Sequence, residues 1–113
     1  MTSAHVTLST HVLDATTGRP AAGVHVQLEH RGYDGWSPAC GGLTDTDGRL
    51  MLPSGFEPGL YRITFGSGAY FAARGTASFY PEVTVTFEMT GHGEHYHVPL
   101  LLSPFAYSTY RGS

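Results

Sequence analysis

Lysine is absent from this 113-residue chain, cysteine and tryptophan occur once each, and charged residues make up only 13%. Each scarcity excludes something. The six basic residues are all arginines, scattered at positions 19, 31, 49, 62, 74 and 111. With no basic run and a net charge of −3, no nucleic-acid or anionic-membrane partner is expected. Cys40 has no second cysteine with which to form an internal disulfide, so a cytoplasmic protein is the simplest reading. The longest apolar stretch, Val98 to Leu102, has five residues including a proline, far short of the roughly 20 that a spanning helix needs. No charged segment leads into an apolar stretch at the start, so no secretory leader is expected. Low charge density beside 41% hydrophobic residues also argues against a disordered chain. The length fits one domain over residues 1–113, able to bury about 60–70% of its unfolded surface.

What is abundant points to strands. Glycine and proline fill 22 positions and threonine 13, while Ala-, Lys- and Glu-rich helical stretches are missing. Val6 to Leu13 alternates in part and runs into the turn cluster Asp14 to Pro20. Val24 to His30 alternates cleanly, with Val24, Val26 and Leu28 on one face. A glycine- and proline-rich loop is expected from Gly32 to Gly42, and Asp47-Gly48 reads as a hairpin signal within Thr44 to Leu52. Further strands are expected at Leu60 to Phe65, Val83 to Glu88, His95 to Leu102 and Ala106 to Tyr110. Only Ala69 to Arg74 looks helical. Seven or eight short strands at this spacing predict an all-β sandwich.

Seven histidines are the feature that asks for an explanation. His5 lies near the start, and His30 and His92 are expected in loops beside glycines, where they read as solvated. His25 should face outward, opposite Val24 and Val26. His95 and His97 are two apart on a strand, so they share a face at about 6.6–6.8 Å spacing. Tyr96, Val98, Leu100 and Leu102 supply the other, apolar face. Such a pair can chelate a metal or act as acid and base, but exposed spectators would show the same spacing. His11 shares its face with Thr7 and Ser9, while Leu8, Thr10 and Val12 take the other. Arg49 directly follows the Asp47-Gly48 turn, where a guanidinium can meet an anion or a carbonyl. The last six residues, Ser108 to Ser113, follow a strand without a polar tail, which points to a docked segment.

Several segments together resemble the 5-hydroxyisourate hydrolase family, the transthyretin-like group of urate-degrading enzymes. They are Leu8 to Asp14 with Gly18-Arg19-Pro20-Ala21, then Asp47-Gly48-Arg49, and His95 to Pro104 with the final Tyr110-Arg111-Gly112-Ser113. Phe79 to Val83 also resembles the family's lead into a late strand, whereas Gly35 to Gly42 matches nothing characteristic. The final tetrapeptide is the most specific element, since hormone-carrying transthyretins lack it. The resemblance implies a transthyretin-like sandwich of two four-stranded sheets with a short helix near Tyr70. It further implies a homotetramer, a dimer of dimers, with active sites at the dimer–dimer interface. The implied reaction is hydrolysis of 5-hydroxyisourate to 2-oxo-4-hydroxy-4-carboxy-5-ureidoimidazoline, in purine metabolism, with no cofactor and no metal. His11, Arg49 and His97 would be catalytic, and His11, Arg49, Tyr110, Arg111 and Ser113 would bind substrate. Gly112 would complete the wall, and His95 would support rather than act.

The chemistry of these residues is coherent with that reaction. No activated serine or cysteine motif is present, so water is the expected nucleophile. One histidine could deprotonate it while another donates a proton, each transfer contributing about 10²–10⁴-fold. Arg49 stays charged and would stabilise the developing oxyanion, and Tyr110 could hold the flat ring. Which histidine takes which part is open. Two rivals remain: a non-catalytic module that binds a small ligand, and a zinc-dependent hydrolase using His11, His95 and His97.

Overall fold

A computed structural model describes residues 6–91 and 94–113. His5 and His92 lie outside the described residues. The strands are β1 (Val6–Asp14), β2 (Arg19–Pro20), β3 (His25–Gly32), β4 (Gly35–Leu43), β5 (Arg49–Phe56), β6 (Gly59–Phe65), β7 (Val83–Met89), β8 (His95–Ser103) and β9 (Ala106–Thr109). One short helix, α1 (Ser67–Ala72), follows β6. They form two sheets, as an all-β sandwich requires. In one, β8 lies parallel to β1 from Thr7 to Asp14, and β9 pairs with β8. Because β8 occupies that side, β2 and β5 share the other side of β1, and the five strands make a sheet four strands wide. The second sheet runs β4-β3-β6-β7 and is antiparallel throughout.

Alternation fills the space between the sheets. Leu8 and Val12 of β1, Val26 and Leu28 of β3, Ile63 and Phe65 of β6, and Leu100 of β8 are all wholly buried. Tyr96, Val98 and Leu102 also face this core, so His95 and His97 point outward, as period two requires.

Helix α1 is tied to the end of β1. Tyr70 Oη donates to Asp14 Oδ2 at 2.8 Å, and Asp14 Oδ1 accepts the N–H of Thr16 at 2.9 Å. The Arg74 guanidinium lies 3.8 Å from the centre of the Tyr70 ring. Burial, and then the Asp14 carboxylate beside it, push the Tyr70 hydroxyl up to about 12, so it stays a donor at any ordinary pH.

Three local expectations are corrected. The stretch from Gly32 to Gly42 is mostly strand: β4 pairs with β3 across a tight turn at Tyr33-Asp34. Its glycines and Pro38 conceal this, but β4 is an edge strand, where a proline can sit without breaking the sheet. A bulge opposite Leu28 and Glu29 takes up the extra residue, Ala39. His30 is accordingly not in a loop. It lies within β3 with its ring 4.9 Å from that of Tyr61. Finally, Asp47-Gly48 does not close a hairpin of paired strands, because β4 pairs with β3 and β5 with β1. The turn instead carries the chain from one sheet to the other. Gly48 adopts φ +73°, and a Cβ there would lie 2.4 Å from the Val12 carbonyl oxygen, so only glycine fits.

Candidate active site

The register of three strands builds one polar patch on the outer face of the first sheet. His11 stands opposite Arg49 across β1 and β5, and Ser9 stands opposite Met51 on that side and His97 on the other. Thr7 stands opposite His95 one step further along. The rows are thus Arg49–His11, Met51–Ser9–His97 and Thr7–His95, about 6.6–6.8 Å apart along the strands.

A cavity of about 440 Å³ opens over this patch, lined by Ser9, Arg49, Met51, His95, His97 and Ser113 among others. His11 does not line it. It stands at the adjoining row, close enough for its charge to act on both His97 and Asp45. The final residues fold back along β8: the Gly112 N–H donates to the His97 carbonyl at 2.8 Å. A Cβ on Gly112 would fall 2.5 Å from Cδ2 of His97, so the absence of a side chain there lets the backbone pass against the imidazole.

Arg49 is set by its turn. Asp45 Oδ1 accepts the N–H of Arg49 at 2.9 Å and that of Asp47 at 2.8 Å. The bond from Arg49 is the main reason that the Asp45 carboxyl is held below its usual range.

The imidazoles are joined by hydroxyls. Ser9 Oγ lies 2.9 Å from His95 Nε2 and 2.8 Å from His97 Nδ1, and Thr7 Oγ1 lies 2.6 Å from His95 Nδ1. The two rings are nearly parallel, with centroids 6.4 Å apart. Among the described residues, His97 Nε2 has no hydrogen-bond partner, which leaves it to meet a ligand. Burial is the first reason that the His97 imidazole titrates below its ordinary range; positive charge on His95, His11 and Arg49 adds to it. His97 is therefore a free base at neutral pH.

Tyr110 and Arg111 are placed elsewhere. They line an adjoining, mostly apolar groove of about 250 Å³ with Val85, Phe87 and Tyr96, and His97 lies between the two spaces. Arg111 lies 4.5 Å over the Tyr96 ring and donates to Glu94 Oε1 at 3.2 Å. The structure thus brings His11, Arg49, His97 and Ser113 together within one chain and sets Tyr110 and Arg111 beside them. Among the described residues no three His, Cys, Asp or Glu side chains are placed to hold a metal ion. Both nitrogens of His95, and one of His97, already face hydroxyls, which opposes the three-histidine zinc arrangement.

Ser9, Thr7 and Asp45 escaped sequence reasoning. The shared face of Thr7, Ser9 and His11 was the available signal. The missing piece was the parallel pairing of β1 with β8, since Ser9 and His97 are 88 positions apart.

A two-sheet sandwich with an imidazole and guanidinium cavity on its outer face marks the chain as a transthyretin-like protein. Comparison with known proteins bears this out. The model of the HIUase/Transthyretin family matches residues 8–112, and the chain belongs to that family. A 5-hydroxyisourate hydrolase of Salmonella typhimurium is 48% identical over 109 residues, covering 94% of this chain and 80% of the relative. The structure of Klebsiella pneumoniae 5-hydroxyisourate hydrolase superposes with a TM-score of 0.84 at 38% identity, covering 95% of this chain and 99% of that one. Transthyretin from Sparus aurata superposes with a TM-score of 0.88 at 33% identity, covering 93% and 95%. Among the described residues no helix is long and apolar enough to cross a membrane.

Proposed function

We propose that the chain hydrolyses 5-hydroxyisourate to 2-oxo-4-hydroxy-4-carboxy-5-ureidoimidazoline, as one catalytic domain in urate degradation. The observation that carries this reading is the strand register that sets His97 and Arg49 in one cavity, with His11 in the row beside it. Its volume of about 440 Å³ falls within the roughly 300–1,000 Å³ usual for small-molecule sites. The names of the relatives supply the substrate.

In this mechanism water is the nucleophile and no metal takes part. His97, a free base with Nε2 open, removes the water proton as the C–O bond forms. Arg49 faces the carbonyl oxygen as it gains charge; losing such a donor costs about 10²–10³-fold in turnover. His11 beside Arg49 holds the ring's other oxygens, and Ser113 closes the cavity wall.

We extend the reading to a homotetramer, a dimer of dimers with sites at the dimer–dimer interface, in the cytoplasm. Strands β7 and β9, each at a sheet edge, support assembly, because unpaired edges invite strand addition. Exposed Phe105, Tyr107 and Tyr110 support it too. A neighbouring copy over the outer face would complete a cavity from which Tyr110 and Arg111 of one chain stand aside, as substrate-binding residues require. Light scattering that gives four chains of 12.1 kDa checks the assembly. For the lone Cys40, a reducing compartment is the natural setting.

The test of the activity is a coupled ultraviolet assay in which a uricase makes 5-hydroxyisourate in situ. Acceleration over spontaneous decay that survives chelation is the expected result. A folded protein that leaves the decay unchanged would instead be a binding module.

A further inference from the structure

Resting on the hydrolase reading above, the geometry points to a proton relay in which Ser9 and His95 switch His97 between base and acid. Ser9 and His95 act here as positioning residues, and Thr7 closes the chain.

A serine hydroxyl carries one proton, yet Ser9 Oγ lies within hydrogen-bond distance of two imidazole nitrogens, 2.9 Å from His95 Nε2 and 2.8 Å from His97 Nδ1. It must donate to one and accept from the other. If Ser9 donates to His95 Nε2, then His97 Nδ1–H donates to Ser9, and His95 carries its proton on Nδ1 and donates it to Thr7 Oγ1. In that state His97 Nε2 holds a lone pair and is a base. If Ser9 donates to His97 Nδ1 instead, His95 Nε2–H donates to Ser9 and accepts from Thr7 at Nδ1. His97 then carries its proton on Nε2 and is an acid. With both imidazoles neutral, both are Nδ1–H or both are Nε2–H.

This coupling lets one imidazole serve both halves of the hydrolysis. The cycle starts in the base state. Water gives a proton to His97 Nε2 as its oxygen bonds to the acyl carbon. The Nδ1 proton of His97 passes to Ser9 Oγ, and the Ser9 proton passes to His95 Nε2. His97 is then neutral with a proton on Nε2, and the positive charge rests on His95. When the ring C–N bond breaks, His97 Nε2–H protonates the leaving nitrogen and the two inner transfers reverse. One proton enters from water and one leaves to nitrogen, so the relay returns to its starting state.

The placement of the two rings favours holding the charge on His95. His95 is exposed and two rows from Arg49, whereas His97 is half-buried and one row away. A cation is better solvated at the first position and less repelled by the guanidinium.

The test compares Ser9→Ala, which removes the shared hydroxyl, with His95→Gln, which keeps a polar group toward Ser9 but holds no proton. His97→Ala is run beside them. The relay predicts that both variants lower kcat roughly tenfold to a hundredfold with KM little changed, part of the about 10²–10⁴-fold that a positioned acid or base supplies. Circular dichroism and native mass confirm that each is folded. Nitrogen-15 spectra of the substrate-free wild type should also show His95 and His97 in the same tautomer. Opposite tautomers would overturn the relay. So would wild-type kcat in Ser9→Ala and His95→Gln while His97→Ala is inactive. Full turnover by His97→Ala would instead strike at the hydrolase reading itself, and the tautomer result needs no substrate.

Discussion

Strand β1 makes polar connections to distant parts of the chain from both faces, and two of them differ in kind. On the inner face Asp14 accepts from Tyr70 and from the Thr16 backbone, and every donor and acceptor is fixed. A tyrosine raised to about 12 keeps its proton near neutral pH, and its ring is buried. On the outer face Ser9 lies between two imidazoles whose roles can be exchanged. The same strand thus uses one kind of bond to hold a helix and another to handle protons. Fixed roles give rigidity; exchangeable roles, open to a cavity, give chemistry.

This contrast can be broken at each end. The largest effect belongs to His97→Ala, which should lower kcat by about 10²–10⁴-fold while thermal unfolding stays near that of the wild type. Loss of activity through loss of the fold would remove His97 from the chemistry. Next comes Gly112→Ala, whose added carbon would lie 2.5 Å from Cδ2 of His97 and must displace the ring. Steady-state kinetics should show about a tenfold to hundredfold loss of kcat, because small misplacements of a catalytic group are costly. Unchanged kinetics would mean that the ring position matters little.

At the other end, Tyr70→Phe leaves Asp14 Oδ2 without its donor. Urea unfolding should show a loss of about 1–3 kcal/mol, with kcat per folded molecule unchanged. A fall in kcat at full occupancy of the fold would erase the distinction between the two connections.

The smallest effect is on pH dependence. His97 titrates below the ordinary imidazole value of about 6.5, through burial first and then through the cations around it. The groups that act on it are His95 on β8, His11 on β1 and Arg49 on β5, and Asp45 lines the same cavity. A base must be unprotonated, so the acid limb of kcat/KM should fall below about pH 6.5. Stability follows the same sign: the contribution of His97 is present above its unfolded value and lost as pH falls through the folded one. His95→Gln removes one of the neighbours whose charge lowers His97, so the acid limb should move up. A downward shift would contradict the charge arrangement.

Much of the sandwich was legible because period two is written plainly in β1 and β8. Leu8, Thr10 and Val12 against Thr7, Ser9 and His11 announce two faces, as do Tyr96, Val98 and Leu100 against His95 and His97. What stayed hidden depends on partners. Strand β4 is unreadable alone, since Pro38 and its glycines mimic a loop until β3 pairs with it. The Asp47-Gly48 turn has the chemistry of a hairpin, but the faces buried by β4 and β5 assign them to different sheets. The link from Ser9 to His97 could not be seen without knowing which strands lie side by side. Resemblance named His11, Arg49 and His97 together, and the register gives the physical reason that they can meet.

The most direct measurement sets His97→Ala and Tyr70→Phe side by side in the uricase-coupled decay of 5-hydroxyisourate, each normalised to folded protein. The expected result is near-wild-type acceleration for Tyr70→Phe and almost none for His97→Ala. Acceleration that survives in His97→Ala would contradict it.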